Sequence, residues 1–357
     1  MSIGLLARAS QSQKNGKRLS PILSALSRSF SQSQSQSTLP SFGIAFDIDG
    51  VVLRGETPIG GSPQALRRLY HHDGDSGALK IPYIFLTNGG GFRESKRALE
   101  LSELLGVHIS PSQVVQGHSP FKQLVDRFEN ELVVAVGKGE PAAVMSEYGY
   151  KNVISIDDYT SCFENIDPLL PYKKWTTKQV SYQNSTSKER DLRNNIHSQR
   201  VRAVFIVSDS VDWSRDIQGA FPAERLGLGA FRIALESVFN KIHPHALGYT
   251  TYGKPNPFVF NNAETLLKQL VQSCHHNVNI ANHANAGNRH LKTLYMIGDN
   301  PSVDIYGARQ AGHPWFSILT RTGVFKGKDN HPEFPADLVV DTVEEAVDYI
   351  LRKECTS

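Results

Sequence analysis

The sequence predicts an α/β fold: a Rossmann-like, doubly wound parallel sheet with an inserted α+β cap domain. Three observations lead there. Apolar runs of strand length recur at 42–47, 81–88 and 291–298, joined by Ile318-Leu-Thr320 and Leu338-Val-Val340, with helical patterns between them. Polar, chemistry-bearing residues follow the first three runs at their carboxyl ends, where an open sheet forms its crevice as strand order reverses. The middle of the chain has strand signals of its own, Leu132-Val-Val-Ala-Val136 and Val201-Arg-Ala-Val-Phe-Ile-Val207. The expected division is a leader at 1–40, a core at 41–118 plus 249–357, and a cap at 119–248.

The first element is Phe42-Gly-Ile-Ala-Phe46, followed by Asp47, Asp49 and Gly50. If the strand ends there and Gly50 turns the chain, both carboxylates reach one site. Two carboxylates ~4 Å apart repel by about 4 kcal/mol at an effective dielectric of 20, so such a pair shifts its pKa or takes a cation. Asp73 and Asp75 repeat the spacing inside a polar stretch that reads as a loop. The second run, Ile81-Pro-Tyr-Ile-Phe-Leu86, ends in Thr87 and Asn88 before Gly89, Gly90 and Gly91. A hydroxyl and free backbone N–H groups at a strand end suit a phosphate.

Within the cap region, residues 172–200 read as a polar loop without chemistry, and Trp213 and Phe231 as cap core. Next, Tyr252-Gly-Lys-Pro-Asn-Pro257 sets Lys254 in a rigid turn before a periodic stretch at 257–270 that reads as helix. Residues 271–290 hold Cys274, His275, His276, His283 and His290, but at no tetrahedral-site spacing, and read as a solvated insertion. Finally, Leu291-Lys-Thr-Leu-Tyr-Met-Ile-Gly298 ends in Asp299-Asn300, with Asp304 at a helix start. Both acids are oxygen ligands suited to magnesium.

The order Asp-x-Asp-Gly, Thr-Asn, Gly-Lys-Pro, Gly-Asp-x4-Asp resembles the haloacid dehalogenase superfamily of phosphohydrolases, in its type IIA branch, over residues 41–351. Thr-Asn-Gly-Gly-Gly at 87–91, Asp212-Trp-Ser-Arg-Asp-Ile-Gln218 and Arg225-Leu-Gly-Leu-Gly-Ala-Phe-Arg232 are similar to the mitochondrial cat-eye-syndrome-critical-region hydrolase-like proteins. The resemblance implies Asp47 as nucleophile, Asp49 as general acid and base, and Thr87, Asn88 and Lys254 as phosphate-binding. It also implies Asp47, Asp49, Asp299 and Asp304 around Mg2+, with a small phosphorylated substrate. Covalent catalysis divides one hard displacement into two easier ones, and a nearby acid lowers the first barrier. Glycosyltransferases also use Asp-x-Asp, but they do not require Lys254 and Asp299 in this order. The other alternative is a catalytically idle mitochondrial binding protein that keeps the fold.

Composition fits an enzyme with more than one core, and no stretch approaches the ~18 apolar residues of a membrane span. Residues 1–46 carry Arg8, Lys14, Lys17, Arg18 and Arg28 and no acid, so the remainder holds 33 basic against 35 acidic residues. Nothing there argues for nucleic acid. The leader, with Ile22, Leu23, Leu26 and Phe30 on one helical stripe, resembles a mitochondrial transit peptide; Arg28-Ser-Phe-Ser31 resembles a matrix-processing site cut after Phe30. Cys162, Cys274 and Cys355 show no paired spacing, as in a reducing compartment.

One departure from type IIA relatives stands out. Only Gly219-Ala-Phe-Pro-Ala-Glu224 separates two segments that usually flank a further strand. Six residues span at most ~20 Å, too little for a helix, a strand and their turns. The expectation is a cap sheet short of one strand, with weak and broad activity.

Overall fold

Phe42-Gly-Ile-Ala-Phe46 forms the central strand because alternate residues find apolar partners on both of its faces. The structure, a computed structural model, describes residues 40–71, 78–162, 196, 199–209, 228–273 and 291–355. The transit-peptide reading, the Asp73/Asp75 loop, nearly all of the 172–200 loop, Trp213, the 219–224 connector and the His-bearing stretch beyond Ser273 lie outside the described residues.

In chain order the elements are β1 (Phe42–Phe46), a hairpin of β2 (Leu53–Arg54) and β3 (Thr57–Pro58), α1 (Ser62–Arg67), β4 (Tyr83–Leu86), α2 (Glu94–Leu105) and β5 (Val114–Val115). Then come α3 (Val125–Phe128), β6 (Leu132–Val136), α4 (Pro141–Tyr148), β7 (Asn152–Ser155), α5 (Ile156–Ser161), β8 (Ala203–Ile206) and α6 (Leu228–Ile242). The chain closes with α7 (Pro257–Ser273), β9 (Thr293–Gly298), α8 (Tyr306–Ala311), β10 (Trp315–Thr320), β11 (Leu338–Val340) and α9 (Val343–Cys355).

Six strands form one parallel sheet in the order β11-β10-β9-β1-β4-β5. Strand order therefore reverses between β1 and β9, and that is where a crevice opens in a doubly wound sheet. Phe42, Ile44 and Phe46 pack with Tyr83, Phe85, Tyr295 and Ile297 against Leu66, Leu101 and Val347 on one face. Ala45, Ile84, Leu294 and Met296 pack against Val259, Phe260, Ala263 and Leu267 of α7 on the other. Burial on both faces explains why these strands read as continuous apolar runs. Each fully buried Ile, Leu or Phe contributes about 1.5–3 kcal/mol of transfer free energy.

Between β5 and α7 the chain builds a second sheet, β7-β6-β8, whose described strands are all parallel. Val133, Ala135, Phe205 and Val207 pack against Phe121, Val144, Met145 and Tyr150 on one face. The carboxyl ends of this sheet rest on the Gly89–Gly91 loop: Glu140 N–H donates to the Gly91 carbonyl at 2.7 Å and the Ser208 hydroxyl to the Gly90 carbonyl at 3.2 Å. Phe231, expected in the cap core, lies on α6, a helix with no buried residue, and is only half-buried. No helix among the described residues is long and apolar enough to cross a membrane.

Candidate active site

β1 ends at Phe46, but the Asp47 N–H still donates to the Ile297 carbonyl at 2.9 Å, which pins Asp47 to β9 at the switch point. The Ile48 carbonyl then accepts the N–H groups of Val51, Val52 and Leu53, closing a tight turn. Gly50 sits in that turn at φ 85°, and a Cβ there would lie 2.6 Å from Asp299 Oδ2. Glycine is required on both counts, conformational and steric.

Lys254 is buried, and its Nζ lies 2.9 Å from Asp47 Oδ1 and 2.6 Å from Asp304 Oδ1. Asp304 is fully buried on a helical turn, Pro301–Ile305, and its Oδ2 accepts the Asn300 N–H at 3.0 Å. Asp299 follows β9 and accepts the Val324 N–H from the loop after β10. Asp47, Asp299 and Asp304 each bring a carboxylate oxygen within 4.8 Å of the others.

Three carboxylates around one ammonium leave an excess of two negative charges if all are ionised. Burial pushes Asp47 and Asp299 upward, with Lys254 opposing it. Asp304 is pushed up to about 6 by burial, again against the pull of Lys254. Burial alone would lower Lys254, but Asp304 and Asp47 outweigh it and hold the amine protonated. A divalent cation cancels the excess, and an all-oxygen donor set fits magnesium.

Asp49, expected as a fourth metal ligand, contributes no carboxylate to this group. Its main chain bridges to Leu53 in the turn and the residue is exposed. Thr87 is buried at the end of β4, beside β1, with its hydroxyl accepting the Gly89 N–H at 3.0 Å. The Asn88 side chain lies on the main chain of Lys254.

Behind the Gly89–Gly91 loop is a buried network that motif reasoning passed over. Tyr148 donates to Glu94 Oε1 at 2.6 Å and contacts His118 Nδ1 at 2.7 Å; Ser119 and Lys122 reach the same Glu94 oxygen at 2.8 and 3.0 Å. Because the tyrosine proton goes to Glu94, the inferred tautomer carries its proton on Nδ1, and Nε2 is left without a partner. Burial drives His118 down to about 4; Lys122 adds to that, and Glu94 partly opposes it. The missed backbone donors, at Val324 and Asn300, carry no side-chain signal; only the Asp299-Asn300 step hinted at the second.

Two family models match the chain: haloacid dehalogenase-like hydrolase over residues 44–151, and an HAD-hydrolase-like family over 251–346. A mitochondrial hydrolase of Saccharomyces cerevisiae is 29% identical, covering 89% of this chain and 97% of that protein. A Schizosaccharomyces pombe fusion of cardiolipin synthase (CMP-forming) with a mitochondrial hydrolase is 30% identical over 90% of this chain, which spans only 55% of the fusion's length. The solved structure of a possible sugar phosphatase from Cytophaga hutchinsonii shares the fold at TM-score 0.53 and 15% identity, covering 86% of this chain and 95% of that one. The chain belongs to the haloacid dehalogenase superfamily. The family models that it matches are those of hydrolases.

Proposed function

We propose that the protein is a magnesium-dependent phosphatase that frees phosphate from a small phosphorylated metabolite in the mitochondrial matrix. The observation that carries this reading is Lys254 held between Asp47 and Asp304, with Asp299 beside them, at the switch point of the sheet. Asp47, Asp299 and Asp304 would hold magnesium, which when bound neutralises charge on the phosphoryl oxygens.

In the first step a carboxylate oxygen of Asp47 attacks phosphorus; the bond to the leaving oxygen breaks, and that oxygen takes a proton from Asp49. In the second, water gives its proton to the Asp49 carboxylate and attacks phosphorus, releasing the Asp47 carboxylate and inorganic phosphate. Lys254 offsets the repulsion between Asp47 and an incoming dianion. Thr87 and the backbone N–H groups of its glycine loop supply phosphate contacts. The exposure of Asp49 suits a group that must exchange protons with both leaving group and water.

The acid-free, arginine-bearing leader and the names of the yeast relatives support a mitochondrial location. The six-residue connector at 219–224 supports weak and broad activity. The test is a panel of phosphorylated metabolites and 4-nitrophenyl phosphate, assayed with and without magnesium. Asp47→Asn should abolish phosphate release while thermal unfolding shows an intact fold, since an amide cannot form the acyl-phosphate. A folded Asp47→Asn protein with unchanged turnover would refute the mechanism.

A further inference from the structure

Asn88 follows Thr87 in the motif expected to hold phosphate, yet its side-chain amide is engaged elsewhere. Oδ1 accepts the main-chain N–H of Lys254 at 2.8 Å, and Nδ2 donates to the main-chain carbonyl of Lys254 at 3.0 Å. One side chain thus takes both main-chain polar groups of a residue 166 positions away. The neighbours make room for this contact. A Cβ on Gly253 would lie 2.7 Å from Asn88 Oδ1, and one on Gly117 would lie 2.8 Å from the Asn88 carbonyl oxygen. With Oδ1 and one amide hydrogen committed, the side chain keeps a single donor to offer elsewhere.

The lysine side chain explains why such a clamp matters. Its flexible four-carbon stem carries about 2 kcal/mol of rotamer entropy, so the ammonium is only as well placed as the main chain that bears it. Here that ammonium must meet Asp47 at 2.9 Å and Asp304 at 2.6 Å together.

We propose that Asn88 is a positioning residue: it fixes the main chain of Lys254 so that the ammonium stays between Asp47 and Asp304, and its side chain is not a phosphate ligand. The proposal rests on the phosphatase reading. Asn88 thereby ties the strand end bearing Thr87 to the loop bearing Lys254, so the cation and the phosphate loop hold one register.

The experiment compares wild type, Asn88→Ala and Gly253→Ala on 4-nitrophenyl phosphate with magnesium, with rates corrected for the folded fraction and inorganic phosphate as competitive inhibitor. Misplacing a catalytic group by ~1 Å costs on the order of 100-fold. Asn88→Ala should therefore lose roughly 10- to 100-fold in kcat, while KM and the phosphate inhibition constant stay within about threefold. Gly253→Ala, which crowds the amide oxygen without reaching phosphate, should repeat that pattern, and it carries the comparison alone if Asn88→Ala does not fold. A rise in KM and in the inhibition constant with kcat preserved would overturn the proposal and make Asn88 a phosphate ligand. An inactive wild type would instead remove the phosphatase reading on which the proposal stands.

Discussion

Acidification should destabilise this fold through His118, by an amount that follows from its surroundings. The unfolded side chain takes up a proton near 6.5, whereas the folded one resists until about 4, chiefly because it is buried. Between those values the unfolded state binds more protons, so stability rises with pH there and is lost as pH falls from about 6.5 toward 4. A gap of roughly 2.5 units at 1.36 kcal/mol each gives about 3 kcal/mol in full, of which about 2 kcal/mol is lost by pH 5. Glu94 acts in the same direction but in a lower window: burial would raise it, yet Tyr148 and Lys122 outweigh burial and hold it below the ordinary carboxylate range. Stopping at pH 5 separates the two. The assay is urea unfolding at pH 7 and pH 5 for wild type and His118→Gln at one fixed magnesium concentration. The variant should show a pH-dependent loss smaller than wild type by about 2 kcal/mol. Parallel losses in the two proteins would refute the buried, neutral histidine.

Asp49→Asn should lower turnover by roughly 10²- to 10⁴-fold, the usual worth of a general acid and base, while its magnesium titration midpoint stays that of wild type. A midpoint shifted severalfold would return Asp49 to the metal site. Magnesium affinity should itself fall about tenfold per pH unit below pH 6, because the cation must displace the proton that Asp304 takes up at about 6. Isothermal titration at pH 5 and pH 7 reads this directly, and equal affinities at the two values would contradict it.

The parts of the fold and site that could be read in advance share a physical cause. β1 and β9 are buried on both faces, so their runs are apolar without interruption and their ends are sharp. Asp47, Asp299 and Lys254 stand just beyond such ends or in a rigid Gly-Lys-Pro turn, where local spacing carries the geometry. The resemblance groups Asp49 with the metal ligands, but spacing alone does not say where a turn carries the residue after it. The work of Asn88 was hidden for a different reason: its partner is main chain, 166 residues away. Backbone donors such as the Val324 N–H leave no mark on residue identity at all. His118 and Glu94 belong to none of the motifs, and both are buried.

The pairing of β1 with β9 joins segments about 250 residues apart, with the whole second sheet looped out between them. Loop closure costs grow only as the logarithm of length, about 0.6 kcal/mol for each doubling. An insertion of this size is therefore nearly free in equilibrium stability. Its burden falls on kinetics, since a distant pairing forms slowly and β1 must wait for β9 to emerge during synthesis. Until then Asp47 has neither Lys254 nor Asp299 beside it, and a ribosome-bound amino-terminal half has no assembled catalytic centre.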